Sequence, residues 1–315
     1  MNRESLHRIS EEHATPNSCL FCNSNKIYHW LDHYCQKNGE KYPIFRCSHC
    51  ASGFVFPIPS FEYLTAFYST SELNSYQEKL VSQSPKKNLK WAIEKEIEFP
   101  NSTIDAKKVC ETLDTLDTGK RLLDIGAGTG FFSKAAIDAG FIVTAVELNT
   151  KSREVFALMN GFEADGSPFD EAFASKNAGK FDVIIMSQVL EHISMITRPI
   201  SSLKKLLAPH GVCAILVPRF KSSISIIQGK KDMFIIPPEH LNFFTVNGLN
   251  TLFEQNNFTV LKTETVSRFD KKNYFSKFKP KLLNYVLVKS LSLFLGVSDK
   301  MNRGMFVHSY FRKNK

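Results

Sequence analysis

A glycine-rich turn between a short apolar run and a helix-length segment constrains this chain more than any other feature. The run 122–125 leads into three alternating glycines, Gly126, Gly128 and Gly130, directly before Phe131. Glycine permits the tight turn and a close approach of backbone to ligand, and the following helix offers unpaired N–H groups. A dinucleotide fingerprint counted from Gly126 requires glycine where this chain has Phe131. The turn therefore predicts a ligand site of another kind.

The segment 119–262 alternates short apolar runs with helix-length stretches. Strands are predicted at 122–123, 141–146, 181–186 and 212–217, with helices starting near Phe131, Lys151 and Pro199. Such alternation is typical of βαβ units, which form a parallel sheet covered by helices on both faces. With 43% hydrophobic and 23% charged residues among 315, the chain has a globular composition and can bury a sizeable core. We predict an α/β fold.

Two carboxylates flank the glycine turn. Asp124 lies two residues before Gly126, and Glu147 closes the strand predicted at 141–146. An acid about 20 residues beyond such a turn commonly binds ribose hydroxyls. Asp124, in contrast, is a poor neighbour for a pyrophosphate and a good one for a cation. The two acids predict a nucleoside ligand with a positively charged appendage, and S-adenosylmethionine fits that description.

These motifs together resemble class I S-adenosylmethionine-dependent methyltransferases. The resemblance rests on D-x-G-x-G-x-G at 124–130, the acid at Glu147, the segment 181–192 and the turn 206–211. It implies a Rossmann-like sheet of seven strands with the last strand antiparallel. The cofactor-binding set that it implies is Asp124, Gly126, Gly128, Gly130, Glu147, Asp165, Ser187 and Gln188. For Asp165, an ordinary turn role is the alternative, because Gly166 and Ser167 follow it.

Two C-x-x-C pairs near the N-terminus predict a structural metal site. Cys19 and Cys22 precede Cys47 and Cys50, with 24 residues between the pairs. Four thiolates saturate a tetrahedral zinc ion and leave no open position. His49 is an alternative ligand, and chance pairing of reduced cysteines is the alternative interpretation.

The residues after the second pair extend the resemblance. The segment 50–68 resembles the passage that follows the zinc-binding domain in a bacterial methyltransferase group, which includes sugar C-methyltransferases acting on nucleotide-linked sugars. Glycine usually follows the fourth cysteine in that group. This chain has Ala51, so we expect Gly53 to serve the turn instead.

Candidate catalytic residues lie beyond two of the predicted strands. His192 follows the fourth strand of the family, while Glu239 and His240 lie beyond the fifth, where these enzymes build a substrate wall, here near 230–245. A histidine beside an acid can take a proton from an acceptor near neutral pH. The sugar C-methyltransferases carry an aromatic hydroxyl two residues before the acid, where this chain has Pro237. Structural roles for His240 and His192 are the alternatives.

The predicted organisation has four parts: a zinc ribbon at 1–75, a helical linker at 76–118, the catalytic domain at 119–262 and a basic C-terminal segment at 263–315. Residues 262–315 carry thirteen Lys and Arg and three Asp and Glu, a net charge of +10 against +9 for the whole chain. The apolar stretch 282–297 predicts a buried packing or dimer helix, or contact with an anionic membrane or a phosphorylated substrate. The absence of a secretory signal and the cysteine pairs predict a cytoplasmic protein.

Three functions compete at this level. The first is methyl transfer to a small-molecule acceptor such as a sugar nucleotide, a glycolipid or a natural-product intermediate. The second is an RNA methyltransferase that uses the ribbon to grip nucleic acid. Residues 1–68 argue against it, because six basic and six acidic residues cancel. The third is a non-catalytic cofactor-binding protein, against which the intact acids and glycines argue.

Overall fold

A computed structural model describes residues 15–36, 39–60, 62–64, 84–98, 101–268 and 281–314. Within these residues, the chain forms two sheets that share one hydrophobic core. The strands are β1 (Ile27–Tyr34), β2 (Lys41–Cys47), β3 (Gly53–Val55), β4 (Arg121–Ile125), β5 (Ile142–Val146), β6 (Phe181–Ser187), β7 (Leu207–Pro218), β8 (Asn242–Phe243), β9 (Phe258–Val266) and β10 (Phe306–Lys313).

The larger sheet has the order β5-β4-β6-β7-β10-β9. Its first four strands run parallel, and β10 is antiparallel to both β7 and β9. The predicted α/β class and the antiparallel last strand are therefore confirmed. Each predicted strand overlaps an observed one, and β7 begins earlier than expected, at Leu207.

The count of seven strands is not reproduced, because this sheet has six among the described residues. Beyond β5, at the edge of the sheet, Asp165 makes only an isolated parallel bridge to Val146. Gly166 and Pro168 follow at once, and both residue types are depleted in strands. At this edge, where the seventh strand would extend the sheet, one bridge between Asp165 and Val146 is formed instead of a strand.

Helices cover both faces of this sheet. They are α1 (Pro85–Glu98), α2 (Asn101–Thr115), α3 (Phe131–Asp138), α4 (Thr150–Asn160), α5 (Glu171–Lys176), α6 (Thr197–Leu206), α7 (Ser223–Gln228), α8 (Val246–Gln255) and α9 (Lys281–Lys300). Alternate residues of β6 point to opposite faces. Val183 and Ile185 pack against α2 and α3, whereas Ile184 packs in the core that contains α6 and α8.

The smaller sheet joins the N-terminal segment to the catalytic unit. Its order is β1-β2-β3-β8, and all its pairs are antiparallel. Gly53 pairs with Phe243, and the amide of Val55 donates to the carbonyl of Leu241 at 2.9 Å. The fourth strand therefore comes from the segment predicted as the substrate wall, so β1–β3 form one sheet with a strand of the catalytic unit.

A buried polar contact reinforces this junction. Ser52 is fully buried, and its hydroxyl accepts a hydrogen bond from the amide of Thr245 at 3.1 Å. The Thr245 hydroxyl in turn donates to the carbonyl of Cys50 at 2.6 Å. Hydrogen bonds of this kind are needed because a buried polar group without a partner destabilises the fold.

The turn after the fourth cysteine differs from the expectation. Ala51 itself adopts the left-handed conformation, with φ of 64°, and Gly53 lies in β3. Gly53 therefore does not replace the glycine of the related group. Ala51 itself must adopt the left-handed backbone conformation, which for a residue with a side chain costs about 1–2 kcal/mol relative to the right-handed one.

The C-terminal segment divides into two elements with different roles. Strand β10 lies inside the larger sheet, between β7 and β9, although the sequence analysis ended the catalytic unit at residue 262. Helix α9 buries Leu295 and leaves Tyr285 and Leu293 largely exposed. The helix that we expected to be buried is therefore only partly buried. Its contact with a membrane, a phosphorylated substrate or a second chain stays a prediction. Among the described residues, no helix has the length and apolar character to cross a bilayer.

We predict that Ser52→Ala destabilises the protein by about 1–3 kcal/mol, because the amide of Thr245 loses its buried acceptor. The free energy of unfolding from urea titration measures the effect. Ser48→Ala is the matched control, since Ser48 is an exposed ribbon serine. Equal stability of both variants and the wild type would contradict this role of Ser52.

Candidate active site and metal centre

The glycine turn is folded against the ends of β4 and β5. The amides of Gly126 and Ala127 both donate to the carbonyl of Val146, at 2.8 and 3.1 Å. Gly128 has φ of 56°, and a side chain built there would meet no atom within 4 Å. The backbone at Gly128 therefore faces open space, as expected for a turn that cradles a ligand.

Glu147 connects the end of β5 to that turn. Its carboxylate accepts from the amide of Gly128 at 2.8 Å and from the amide of Asn149 at 2.7 Å. Burial raises the pKa of Glu147, and the two amides and Arg153 counteract this rise by favouring the charged form. The predicted acid is thus held beside the glycine turn, on the side where the parallel strands end.

Asp124 lies beneath the turn with 1% of its surface exposed. Ser133, on α3, donates a hydrogen bond to its carboxylate at 2.6 Å. Burial raises the pKa of Asp124 to about 6; Ser133 lowers it and the nearby charge of Glu147 raises it. At pH 7 this carboxylate is therefore a buried negative charge, held by the Ser133 hydroxyl.

The other predicted cofactor residues lie around the same edge. The amide of Asp165 donates to the carbonyl of Ala145, and its own carbonyl accepts from the amide of Glu147 at 3.0 Å. The exposed Asp165 carboxylate accepts from the amide of Ser167 at 2.8 Å, and hydrogen bonding from the side chain and the amide of Ser167 lowers its pKa. The side chain thus caps its own turn, and a contact of Asp165 with the cofactor stays a prediction.

Ser187 ends β6, and Gln188 follows with φ of 57°. The next residue, Val189, lies so close to the glycine turn that a side chain on Gly126 would approach it to 2.5 Å. This contact brings the segment after β6 next to the turn, and the segment reaches His192 three residues later.

The four predicted metal ligands converge. Cys19, Cys22, Cys47 and Cys50 are all buried free thiols, and their sulfurs lie within 4.8 Å of one another. The sulfurs of Cys19 and Cys50 are 3.6 Å apart, and those of Cys22 and Cys47 are 3.7 Å apart. Four sulfurs bound to one zinc at about 2.3 Å lie about 3.8 Å from each other, so the spacing suits that ion.

The predicted catalytic residues also come together, although 47 positions separate His192 from Glu239. The ring of His192 contacts that of His240 edge to face, with centroids 4.9 Å apart. The Nδ1 atom of His192 lies 2.6 Å from the carbonyl of Glu239. The Nδ1 atom of His240 lies 2.8 Å from the carbonyl of Phe234.

Burial dominates the electrostatics of this histidine pair. It lowers the pKa of His240 to about 3, with a further lowering from His192. It also lowers the pKa of His192, against the carbonyls of Glu239 and Gln188, which favour the protonated ring. Both imidazoles are therefore neutral at pH 7 and present lone pairs to a hydrogen-bond donor or a metal ion, while the low pKa makes His240 a weaker proton acceptor than an exposed histidine.

Three residues that the sequence analysis did not select support these positions. Ser133 holds Asp124, and Asn242 donates to the carbonyls of Ile193 and Leu190 at 2.7 and 3.4 Å. Glu191, next to His192, is 1% exposed, and burial raises its pKa to about 8. The adjacency of Glu191 to His192 was a signal in the sequence, whereas Asn242 carried none.

Curated relatives match the central part of the chain. A ubiquinone biosynthesis O-methyltransferase of Psychrobacter arcticus is 34% identical over 107 residues, which are 31% of this chain and 40% of that protein. The corresponding protein of a Caulobacter species is 38% identical over 101 residues, again 31% of this chain and 40% of that protein. The match thus spans two fifths of the length of these relatives.

Solved structures share the fold at low identity. A methyltransferase from Archaeoglobus fulgidus has a TM-score of 0.50 and 19% identity, and covers 71% of this chain and 100% of its own. The 1,6-didemethyltoxoflavin-N1-methyltransferase of Burkholderia thailandensis, solved with S-adenosylhomocysteine, has a TM-score of 0.51 and 16% identity, and covers 90% of this chain and 99% of its own.

We predict that Asp124→Asn stabilises the protein at pH 8. An acid whose pKa is raised by folding opposes the folded state as pH increases from its unfolded value near 4 to its folded value of about 6. Asparagine escapes this cost, so the variant gains about 1–3 kcal/mol at pH 8 and none at pH 4. Urea unfolding at both pH values measures the difference. A variant less stable than wild type at pH 8 would contradict the buried charge.

The family comparison is the broadest of these findings. A family model described as a methyltransferase domain matches residues 103–263, which is just over half of the chain and includes the glycine turn, both acids and His192 and His240. The chain therefore belongs to the methyltransferase-domain family, and by fold and family it is an S-adenosylmethionine-dependent methyltransferase.

Proposed function

We propose that the protein transfers the methyl group of S-adenosylmethionine to a small-molecule acceptor. The observation that carries this proposal is the open cradle at Gly128, which lies between a buried carboxylate beneath the turn and a second carboxylate at the end of β5. This arrangement suits a nucleoside whose other end is cationic. The family match and the relatives named as O-methyltransferases support the same chemistry.

The described residues fit this cofactor. We assign ribose recognition to Glu147, because its carboxylate already lies within hydrogen-bond distance of the Gly128 amide. Asp124 is too buried to be a broad contact surface, so we assign it an electrostatic role toward the cationic end of the ligand. Asp165, Ser187 and Gln188 line the same edge of the sheet, and their contacts with the cofactor stay predictions.

S-adenosylmethionine, when bound, supplies an electrophilic methyl group on a sulfonium. The protein must therefore align the acceptor and, where the acceptor atom carries a proton, provide for its removal. We assign these tasks to His192, His240 and Glu239. Three observations support this assignment. The rings of His192 and His240 are in contact, His192 follows three residues after Val189, which lies against Gly126, and the His192 side chain is 32% exposed.

The acceptor class follows from the same surroundings. Neutral imidazoles and the carboxylate of Glu239 suit an acceptor with hydroxyl groups, which agrees with the O-methyltransferase relatives. A sugar nucleotide, a glycolipid or a natural-product intermediate meets this description. Pro237 replaces the aromatic hydroxyl of the sugar C-methyltransferases, so we favour oxygen over carbon as the methylated atom.

We also propose that the N-terminal sheet is a zinc ribbon with a structural ion on its four clustered cysteines. The amides of Phe21 and His49 point to the sulfurs of Cys19 and Cys47, at 3.5 and 3.3 Å. Such bonds favour thiolates, which are the metal-binding form. Free thiols at all seven cysteines suit the reducing conditions of the cytoplasm, where we place the protein.

For the zinc, we expect about one ion per chain to survive gel filtration in metal-free buffer, because four thiolates bind it tightly. Cys19→Ser should lose this ion and unfold the ribbon. Cys35→Ser is the matched control, since Cys35 is a buried ribbon cysteine outside the cluster. Elemental analysis by mass spectrometry measures the metal. Wild-type protein without zinc, or Cys19→Ser with a full ion, would refute the site.

For the cofactor, calorimetric titration with S-adenosylhomocysteine tests the proposal directly. Glu147→Ala should weaken binding about 10- to 100-fold, because the carboxylate's hydrogen bonds to ligand hydroxyls are lost. Glu163→Ala should bind the ligand like wild type, because Glu163 is an exposed acid in the loop after α4. Absence of binding to wild type, or equal affinities of wild type and Glu147→Ala, would overturn the assignment.

A further inference from the structure

A cluster of three potential ligands lies at the proposed acceptor side. Glu191 and His192 belong to a 3-10 turn, Leu190–His192, and His240 follows the Pro-Pro-Glu segment packed against it. One carboxylate oxygen and one nitrogen from each ring lie within 4.8 Å of one another. The cluster is distinct from the four cysteines and consists of nitrogen and oxygen donors.

Both rings are oriented by main-chain carbonyls. A carbonyl only accepts hydrogen bonds, so Nδ1 of His192 and Nδ1 of His240 each carry the hydrogen that they donate, to Glu239 and to Phe234. With the hydrogen on Nδ1, the ring nitrogen that can bind a metal ion is Nε2. Histidines that bind metals are usually fixed in this way, with the second nitrogen bonded to a carbonyl or carboxylate.

The carboxylate of Glu191 has little compensation in the described part of the chain, where its own amide is the group that favours the charged form. Neither of its oxygens has a hydrogen-bond partner there, and the residue is 1% exposed. Its nearest charged-group contact is with Nε2 of His192, at 3.9 Å. Burying a charged carboxylate without donors destabilises a protein, so such a group either takes up a proton or lies beside a cation.

We propose that Glu191, His192 and His240 bind one divalent transition-metal ion, through the carboxylate and the two Nε2 atoms. Bonds of about 2.1 Å place neighbouring donors about 3.0–3.4 Å apart, so the 3.9 Å separation closes by less than 1 Å. Two imidazoles and one carboxylate suit Zn²⁺, Co²⁺, Fe²⁺ or Mn²⁺. Binding of the ion would displace the proton of Glu191 and compensate the buried charge of its carboxylate.

The role of this ion in catalysis rests on the proposed function, methyl transfer to a small-molecule acceptor, whereas the binding of the ion does not. Three protein ligands leave coordination positions open, and the His192 side chain is 32% exposed, so an acceptor can approach the ion from solvent. An acceptor hydroxyl bound there would have a lowered pKa. The site thus takes a metal ion together with an oxygen-bearing acceptor, and His192 and His240 act by holding the ion.

Equilibrium dialysis of the full chain against Co²⁺, with the cysteine-bound zinc in place, tests the site. Cobalt and zinc are counted together by mass spectrometry. We expect about one cobalt per chain in addition to the zinc, bound in wild type at least tenfold more tightly than in Glu191→Gln or His240→Ala. His210→Ala, at an exposed histidine outside the cluster, should bind like wild type.

X-ray absorption of the cobalt-loaded wild type gives a second measurement that needs no variant. We expect nitrogen and oxygen neighbours that include imidazoles, and no sulfur. Three results would overturn the site. They are cobalt that binds only in the amount of zinc released, sulfur neighbours of the cobalt, and an affinity for cobalt in Glu191→Gln equal to that of wild type. Titration with S-adenosylhomocysteine separates the two proposals. If the homocysteine derivative fails to bind while cobalt binds, the function fails and the metal site stands; the opposite result removes only the metal site.

Discussion

The pairing of β3 with β8 is the interaction on which the acceptor side of this protein depends. It extends the ribbon sheet by a strand taken from the catalytic unit, and the amide of Val55 continues the pairing by donating to the carbonyl of Leu241. From there, the amide of Leu241 donates to the carbonyl of Glu191, and Asn242 donates to the carbonyl of Ile193. The N-terminal sheet therefore fixes the 3-10 turn that carries His192. The four clustered cysteines lie in the same core as α8, so this sheet packs as part of the catalytic unit.

The cofactor half and the proposed acceptor half of the site have different physical origins. The cofactor half is made by one βαβ unit, in which the strand ends, the glycine turn and the first turn of α3 lie close together in the sequence. The proposed acceptor half is assembled from the end of β6, the segment before β8 and the N-terminal sheet, which are far apart along the chain.

The same division explains what the sequence could predict. Asp124, Glu147 and the glycines follow strands directly, so local patterns placed them beside one another. The four cysteines have a spacing that by itself indicates a shared centre, and the structure brings their sulfurs together. The contact of Glu191 with His240 spans 49 positions and depends on tertiary packing, so no periodicity predicts it. The left-handed Ala51 and the position of β10 inside the sheet were likewise set by pairing partners elsewhere in the chain.

Hydrogen exchange of the zinc-loaded and chelator-treated protein tests the central claim, that the ribbon holds the acceptor side through β3 and β8. Removing the metal should speed exchange of the amides of Val55, Leu241 and Thr245, whose acceptors lie across the junction or on the turn that it holds. Peptides from β4 and β6 should keep their protection, because their partners lie within the larger sheet. Unchanged protection of residues 241–245 after loss of the metal would contradict the account.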